Sequence, residues 1–582
     1  MRTLKQVTSN SDMSKIKHNF FVFDTETTKL EPQPKNFVFG VLYAWNWHKV
    51  FYSPEEFKDE LKHDRYKNKY IFAHNAEFDL LTIFGNVYTE VDNTAIFNGK
   101  FISAKYGNVT FADSMNIFPT SVEKIGKLIG LDKLENKKVK GQGLRKENIT
   151  PEDIEYCKRD CKIVFVALQR IFELTGAIKL TLPSLAMYDF RKNYLPGDLQ
   201  FSELVDDFYQ SYYGGRTEAF KIGKVNAKVY DVNSMYPYAM VNTVFPDVKS
   251  LKKEIAPDLK FLTHCLKYYE GMTSVDVIHK DTFFGYLPCR MEVNKSEKLV
   301  FPVGKFSTVV NFNELRFALS KGVIEIKKVH YIVYANPAKS PFVNFILDNY
   351  KKRNESQDEL NRLIYKLKMN SLYGRFAMRM KMSTAYYDEI PFQLVQELKE
   401  ADKYCDIQLF NADRNDCYLI TENEKFKNSF FSIPTFSSYI TSTARIMLLQ
   451  ALTDNESEGV CYCDTDSVFL EGTFKGKLSD ELGDFKLEDK QVTAVFGLKN
   501  YIYKDHEGKE IAVIKGISKN STKRHDPETG KTVYETPKYI KTKQALRQGK
   551  ETGKAFIMQK TLTGKYDKRI VNHDGTTKPI KI

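Results

Sequence analysis

The residues best suited to chemistry lie in Gly459-Val-Cys-Tyr-Cys-Asp464-Thr-Asp466-Ser-Val-Phe-Leu470. Asp464 and Asp466 stand two positions apart between apolar, β-prone runs, and side chains at i and i+2 share a face of a strand. The pattern predicts a hairpin with two carboxylates at its tip. Paired acids at a tight turn suit Mg2+, a hard ion that takes one or two carboxylates together with water and substrate phosphates. Taken alone, Asp-Thr-Asp is more often an ordinary polar turn. Its meaning therefore depends on the other acids of the chain.

In the N-terminal third, Phe20-Phe-Val-Phe23 predicts a buried strand that delivers Asp24 and Glu26 to a sheet edge. Tyr70-Ile-Phe-Ala73 leads into His74-Asn75-Ala-Glu-Phe78-Asp79, another acid at a strand-to-helix junction. From Pro151 to Leu174, Ile154, Cys157, Cys161, Val164 and Leu168 recur at helical spacing, with Thr150 as N-cap and Pro151 in the first turn. Tyr156 and Asp160 then lie one turn apart on one face. Brought together, Asp24, Glu26, Asp79 and Asp160 could hold two metal ions, one activating water and one stabilising a leaving oxygen. Tyr156 could orient the water.

Farther along, Tyr212-Tyr-Gly214-Gly215-Arg216 has paired glycines that let one backbone approach another or a phosphate. Lys228-Val-Tyr-Asp231-Val-Asn-Ser-Met-Tyr236-Pro237 predicts a strand ending on a third acid, Asp231, to join Asp464 and Asp466. In Lys366-Leu-Lys-Met-Asn370-Ser-Leu-Tyr373-Gly374, a helix opened by a capping box at Ser356-Gln-Asp-Glu359 and closed by Gly374 is expected. Arg362, Lys366, Asn370 and Tyr373 would share one face, with Leu360, Leu363, Ile364 and Leu367 as the buried stripe. A basic and aromatic face of this kind suits a triphosphate and its base.

These elements sit in a chain of 582 residues, too long for one core, so at least two domains are expected. The chain is 42% hydrophobic and 28% charged, which fits a globular protein. A net charge of +13 (87 basic, 74 acidic) and a lysine-rich stretch beyond Lys538 point to a polyanionic partner. Eight cysteines without zinc spacing, among them Cys461 and Cys463 inside an apolar strand, fit buried free thiols in a reducing compartment. Residues 1–19 lack an apolar signal core, and no apolar run would span a bilayer, so a cytoplasmic location is expected.

The N-terminal acids resemble, in order, the Asp-x-Glu, Asn-x-x-Phe-Asp and Tyr-x-x-x-Asp motifs of proofreading 3′–5′ exonucleases. The resemblance implies that Asn75 and Phe78 contact a single-stranded 3′ end, Phe78 by stacking. Thr27, His74 and Ser114 carry over as further DNA contacts, and Lys133 is the candidate for a catalytic lysine. The later motifs resemble those of family B DNA polymerases: Tyr212, Gly214 and Gly215 the motif that partitions a primer, Asp231 to Pro237 motif A, Lys366 to Gly374 motif B, and Tyr462 to Ser467 motif C. Met235 stands in the usual leucine position.

By this resemblance, Asp231 and Asp464 bridge two Mg2+ ions, for which Mn2+ substitutes, with Val232 a further ligand to metal and nucleotide and Asp466 a nearby acid. Tyr236 is the sugar gate, Lys366 neutralises phosphates, and Arg362, Asn370 and Tyr373 contact the nucleotide. Lys499 and Tyr501 hold the primer terminus.

The gaps from Asp231 to Lys366 and from Tyr373 to Asp464 are too long for structureless loops and should hold folded insertions. Small size with two insertions is similar to the protein-primed, phi-twenty-nine-like branch of family B, although the second gap is longer here. The expectation is an α/β and α+β multidomain protein, a ribonuclease-H-like exonuclease domain at 1–190 and a right-hand polymerase at 191–582. Within the latter we expect palm at about 200–260 and 430–498, insertion one at about 261–340, fingers at about 345–376, insertion two at about 380–430 and thumb at about 499–582. The implied activity is that of a monomeric, strand-displacing DNA polymerase acting on template-primer DNA and deoxynucleoside triphosphates, with a terminal protein as primer. A conventionally primed repair polymerase of the same family, and a DNA-binding replication factor with vestigial acids, are the alternatives.

Overall fold

The computed structural model describes residues 1–9, 13–87, 90–97, 99–136, 138, 143–380, 384–387, 392–400, 404–409, 418–423, 427–428, 431–517, 521–526, 531–542, 544–545, 550–562 and 566–582. Two seven-stranded sheets carry Asp24, Glu26, Asp231 and Asp464, while Asp79 and Asp160 stand on helices and Asp466 lies in a turn.

In the first sheet, Phe20–Thr27 is central. It pairs antiparallel with Phe37–Ala44 and parallel with Tyr70–Ala73, which in turn runs parallel to Val109–Asp113. Trp47–Phe51 lies beyond Phe37–Ala44, and Lys100–Tyr106 and Asp92–Phe97 complete the other side. Both faces of the central strand are buried, which is why it reads as a continuous apolar run. The Pro151–Thr175 helix covers one face. Thr150 caps it in a reciprocal arrangement with Asp153, and Gly176 closes it in the left-handed region.

The second sheet is antiparallel throughout, in the order Thr217–Ala219, Val460–Asp464, Ser467–Leu470, Gly223–Val232, Phe485–Gly497, Asn500–Lys504 and Glu510–Ile514. The Pro434–Asp454 helix packs Ala444, Leu448 and Leu452 against Tyr230, Val232, Cys463 and Leu470 of this sheet. Cys461 and Cys463 are buried free thiols, as expected.

A separate four-stranded sheet, Lys252–Ile255, Ile324–Ala335, Glu270–His279 and Gly304–Asn311, fills most of the first long gap. Beyond it the Val343–Glu355 and Glu359–Phe376 helices pack together. In the second gap, Thr384–Tyr387, Tyr418–Asn423 and Tyr404–Leu409 form a three-stranded sheet, while much of 380–430 lies outside the described residues.

Several expectations are corrected. The stretch 181–200, which holds the domain boundary expected at 190, is helical over Leu182–Asp189 and continues as a wider turn over Phe190–Tyr194. It packs along the Glu359–Phe376 helix, and buried Lys368 reaches Asp189 at 2.7 Å. That helix begins two residues later than predicted: Asp358, not Ser356, accepts the N–H of Asn361 and caps it. It also runs through Gly374 to Phe376.

Leu360 and Ile364 of its buried stripe join the core that contains Phe20, Val164 and Leu168, while Leu363 and Leu367 are only partly buried. The boundary expected at residue 499 falls inside the second sheet, since Asn500–Lys504 and Glu510–Ile514 extend it. The final segment also returns to that region: Arg569, fully buried, reaches Glu218, and the backbone of Ile582 bonds that of Val303 and Lys305. Among the described residues no helix is long and apolar enough to cross a membrane.

Candidate active sites

In the second sheet Asp231 pairs in register with Ser467, and Ser467 with Asp464. The three form a row across neighbouring strands, so their side chains emerge on one face. Thr217 and Lys486 extend the row on either side. Thr465, in the left-handed region (φ 65°), makes the turn, and its N–H donates to the Arg216 carbonyl at 2.8 Å. The Val232 N–H donates to the Asp466 carbonyl, also at 2.8 Å, which brings the turn against the end of the Asp231 strand.

Burial raises the Asp231 carboxyl above its usual range, with Glu488 adding to the effect. Asp466 is pushed up to about 6 by burial first and then by Asp231 and Asp464. Asp231 and Asp464 thus oppose ionisation of Asp466, a repulsion that a divalent cation relieves.

The glycine motif lies directly on this turn. A methyl group at Gly215 would stand 2.8 Å from Thr465 Cγ2 and 3.1 Å from the Tyr236 hydroxyl. Buried Arg445 donates to the carbonyls of Tyr213 (2.8 Å) and Gly214 (3.0 Å) and pairs with Glu314 at 2.8 Å, fixing the loop from behind. Tyr212 is half-buried beside it. The ring of Tyr236 stacks on that of Tyr373, 4.5 Å apart and 12° from parallel. Asn370 bonds the Lys366 carbonyl on its own helix at 2.8 Å.

Partial burial and the charges of Arg353 and Lys486 hold the Lys366 ammonium below its ordinary pKa. The expected arginine of this helix, Arg362, instead pairs with Glu359 at 2.7 Å, and Arg353 of the preceding helix is the arginine that acts on Lys366. Lys486 and Lys490 flank Glu488 at 2.9 and 3.0 Å on the strand beside Asp231. This alternating Lys-x-Glu-x-Lys pattern was a period-two signal that sequence reasoning passed over. Lys499 Nζ lies 3.7 Å from Asp464, whereas Tyr501 packs beneath the hairpin against Tyr462 and Phe469.

The first sheet assembles the other acids. Asp24 and Glu26 leave the central strand on one side. Buried Asp79 accepts the N–H and hydroxyl of Thr25 at 3.0 and 2.7 Å. Asp160 pairs with Lys133, whose ammonium also lies 4.7 Å over the Tyr156 ring, so the candidate lysine is at the site. Burial raises Asp24 to about 7, with Asp160 contributing, and raises Glu26 and Asp79 well above the carboxylate range. One buried oxygen of Asp160 has no hydrogen-bond partner.

Hard oxygen donors under mutual repulsion suit divalent cations, and the residues present fit them. Cys157, which the helical pattern placed only in an apolar stripe, turns its thiol to Asp24 Oδ2 at 3.5 Å and lies with Asp24 and Glu26 in a group whose ligand atoms are all within 4.8 Å of one another.

Around these acids, His74 donates from Nε2 to the Thr120 carbonyl at 2.7 Å, leaving Nδ1 to accept from Ser114 at 2.9 Å. Asn75, also left-handed (φ 76°), gives its N–H to Asp113 at 3.0 Å. Thr27 bonds the Lys29 carbonyl at 2.8 Å, and Phe78 meets the ring of Tyr539, 5.6 Å away.

The profile of the family described as DNA polymerase type B, organellar and viral, matches residues 130–457. A DNA-directed DNA polymerase of Enterobacteria phage PRD1 is 26% identical over 486 residues, covering 77% of this chain and 75% of the relative. A "Probable DNA polymerase" of Podospora anserina is 25% identical over 526 residues, 74% of this chain, which spans only 41% of that protein. Among solved structures, Phi29 DNA polymerase superposes with a TM-score of 0.65 at 18% identity over 94% of this chain and 100% of that one, so the fold is that of a multidomain family B polymerase. The matched profile covers more than half of the sequence, and the chain belongs to the organellar and viral type B DNA polymerases.

Proposed function

We propose that this protein is a replicative DNA-directed DNA polymerase that extends a 3′-hydroxyl with deoxynucleoside triphosphates and proofreads with a separate 3′–5′ exonuclease site. The observation that carries the reading is the in-register row of Asp231, Ser467 and Asp464, with Asp466 at its end and the Tyr236–Tyr373 stack beside it.

Asp231, Asp464 and the Val232 carbonyl would hold two Mg2+ ions, which when bound supply a more acidic primer hydroxyl and neutralise the triphosphate. Lys366, Lys486 and Lys490 bring positive charge to the phosphates. Tyr373 offers a ring face to the base, and Tyr236 closes the space a 2′-hydroxyl would need. Lys499 neutralises the primer's terminal phosphate. Gly214 and Gly215 leave room for a backbone to pass the turn.

At the other site Asp24, Glu26, Asp79 and Asp160 would hold the ions, Tyr156 and Lys133 orient a water, and Asn75 and Phe78 hold an unpaired 3′ end. The strand order and pairing directions of the first sheet support a ribonuclease-H-like domain over about 1–190. The four-stranded sheet and the segment 380–430 are proposed as the two insertions, the first seating a terminal protein that donates the priming hydroxyl and the second supporting strand displacement. The relation to the PRD1 phage enzyme supports a viral-type replication role.

The test is a labelled, 3′-recessed primer in Mg2+. Extension with nucleotides and shortening without them is expected, and failure of both under any divalent metal would leave a DNA-binding replication factor. Dependence of initiation on an added protein hydroxyl donor separates protein priming from conventional priming.

A further inference from the structure

Glu77 sits between Ala76 and Phe78 on the helix that carries Asp79, and only 2% of it is exposed. A buried carboxylate needs partners, and those of Glu77 come from near the other end of the chain. Lys541 Nζ lies 3.2 Å from Oε2, and the Thr542 N–H donates to Oε1 at 2.9 Å. Two residues earlier, Tyr539 packs on the core beneath the same helix and presents its ring edgewise to Phe78, with 5.6 Å between centroids and 72° between planes. Its hydroxyl is shielded from solvent. The charge of Lys541 also acts on Asp113, the acceptor for the Asn75 N–H.

Farther on, Gln33 donates to Glu551 at 2.8 Å, and Gly553 lies so close to Pro32 that a methyl group would stand 2.5 Å from its carbonyl. The two residues read as gripping a single-stranded end are thus backed by a segment more than four hundred positions away.

We propose that Tyr539, clasped in place by the Lys541–Glu77 pair, is a positioning residue of the 3′-terminus pocket: its ring fixes the ring of Phe78 where an unpaired base must stack. This rests on the exonuclease reading of the N-terminal site. Without the Tyr539 ring, Phe78 can swing toward the vacated space, so binding of the strand weakens while the acids, and hence the chemical step, are untouched. The strand that ends at Tyr539 is paired with Thr522–His525 and Ala555–Thr561, which fixes where its end lies.

The experiment follows degradation of a labelled single-stranded oligonucleotide by the full chain as wild type, Tyr539→Phe, Tyr539→Ala and Lys541→Ala, with thermal unfolding as a check on folding. Tyr539→Ala should raise KM about 10-fold, the size of one stacking contact, and leave kcat within about twofold. Tyr539→Phe keeps the ring and should stay near wild type, whereas Lys541→Ala should raise KM with kcat retained.

A Tyr539→Ala variant with wild-type KM, a loss confined to kcat, or a Tyr539→Phe loss equal to that of Tyr539→Ala would overturn the proposal. Wild-type protein that extends primers but never shortens single strands would instead overturn the exonuclease reading, and this inference with it.

Discussion

Tyr236 and Tyr373, 137 positions apart in the chain (373 minus 236), stack face to face at 4.5 Å. Tyr236 stands on the helix that follows Asp231, Tyr373 on the helix that carries Lys366, and Ser437 holds the Tyr373 carbonyl at 2.6 Å. The pair therefore ties the Glu359–Phe376 helix to the Met235–Asn242 helix beyond Asp231 and, on the proposed polymerase reading, forms a wall of the nucleotide site.

Removing that wall should relax selection of the sugar. Tyr236→Ala is expected to raise insertion of ribonucleotides relative to deoxynucleotides by about 10- to 100-fold, the usual cost range for a lost steric contact. Single-nucleotide insertion kinetics on a primed template measure it, and shortening of single strands should be unaffected.

Gly215 has no room for a side chain. The methyl of Gly215→Ala would press on Thr465 at 2.8 Å and displace the turn between Asp464 and Asp466. Misplacing reacting groups by even 1 Å can cost about 100-fold, so primer extension should fall by that order while thermal stability changes little.

Lys368 and Asp189, both almost fully buried and 2.7 Å apart, join the Glu359–Phe376 helix to the Leu182–Asp189 helix. Removing one partner leaves a buried charge, so Asp189→Leu or Lys368→Met alone should destabilise by about 3–5 kcal/mol. The double variant should melt above either single one, since an apolar pair of similar volume carries no uncompensated charge.

The sequence made some of this visible and hid the rest for identifiable reasons. Asp464, Asp24 and Glu26 were legible because a strand alternates its faces and local pattern alone places the acids, whereas Asp466 lies in the turn that Thr465 makes. Thr150 and Pro151 announced a helix start because capping is local too.

Lys368 was not legible. Its partner Asp189 lies 179 positions away (368 minus 189), and a lysine on a helix reads as solvated until that partner is known. Leu360 and Ile364 read as a buried stripe, yet nothing local told that the core they enter is that of the N-terminal sheet. The competition between Ser356 and Asp358 for the cap was decided by the Ser356 hydroxyl accepting the Asp358 N–H at 3.2 Å, one turn outside the helix. Tyr539 and Lys541, paired with residues near the opposite end, carry no local signal at all.

His74 gives a pH prediction. Burial lowers its pKa from 6.5 to about 4, so the folded chain disfavours its charged form and the unfolded chain binds the proton more readily. The stability it contributes is fully present above about pH 6.5 and is lost as pH falls toward about 4, a contribution on the order of 3 kcal/mol. Denaturant titrations of wild type and His74→Gln across that window should show a steeper acid loss in the wild type.

The central claim is that one chain carries two separate acid sites, one building DNA and one removing it. The most direct measurement compares wild type, Asp464→Asn and Asp24→Ala on the same labelled primer-template in Mg2+, with and without deoxynucleotides, and with the metal chelated. The account predicts that Asp464→Asn abolishes extension and retains shortening, that Asp24→Ala does the reverse, and that chelation stops both. Loss of both activities in either variant, each folded as judged by its unfolding transition, would contradict it.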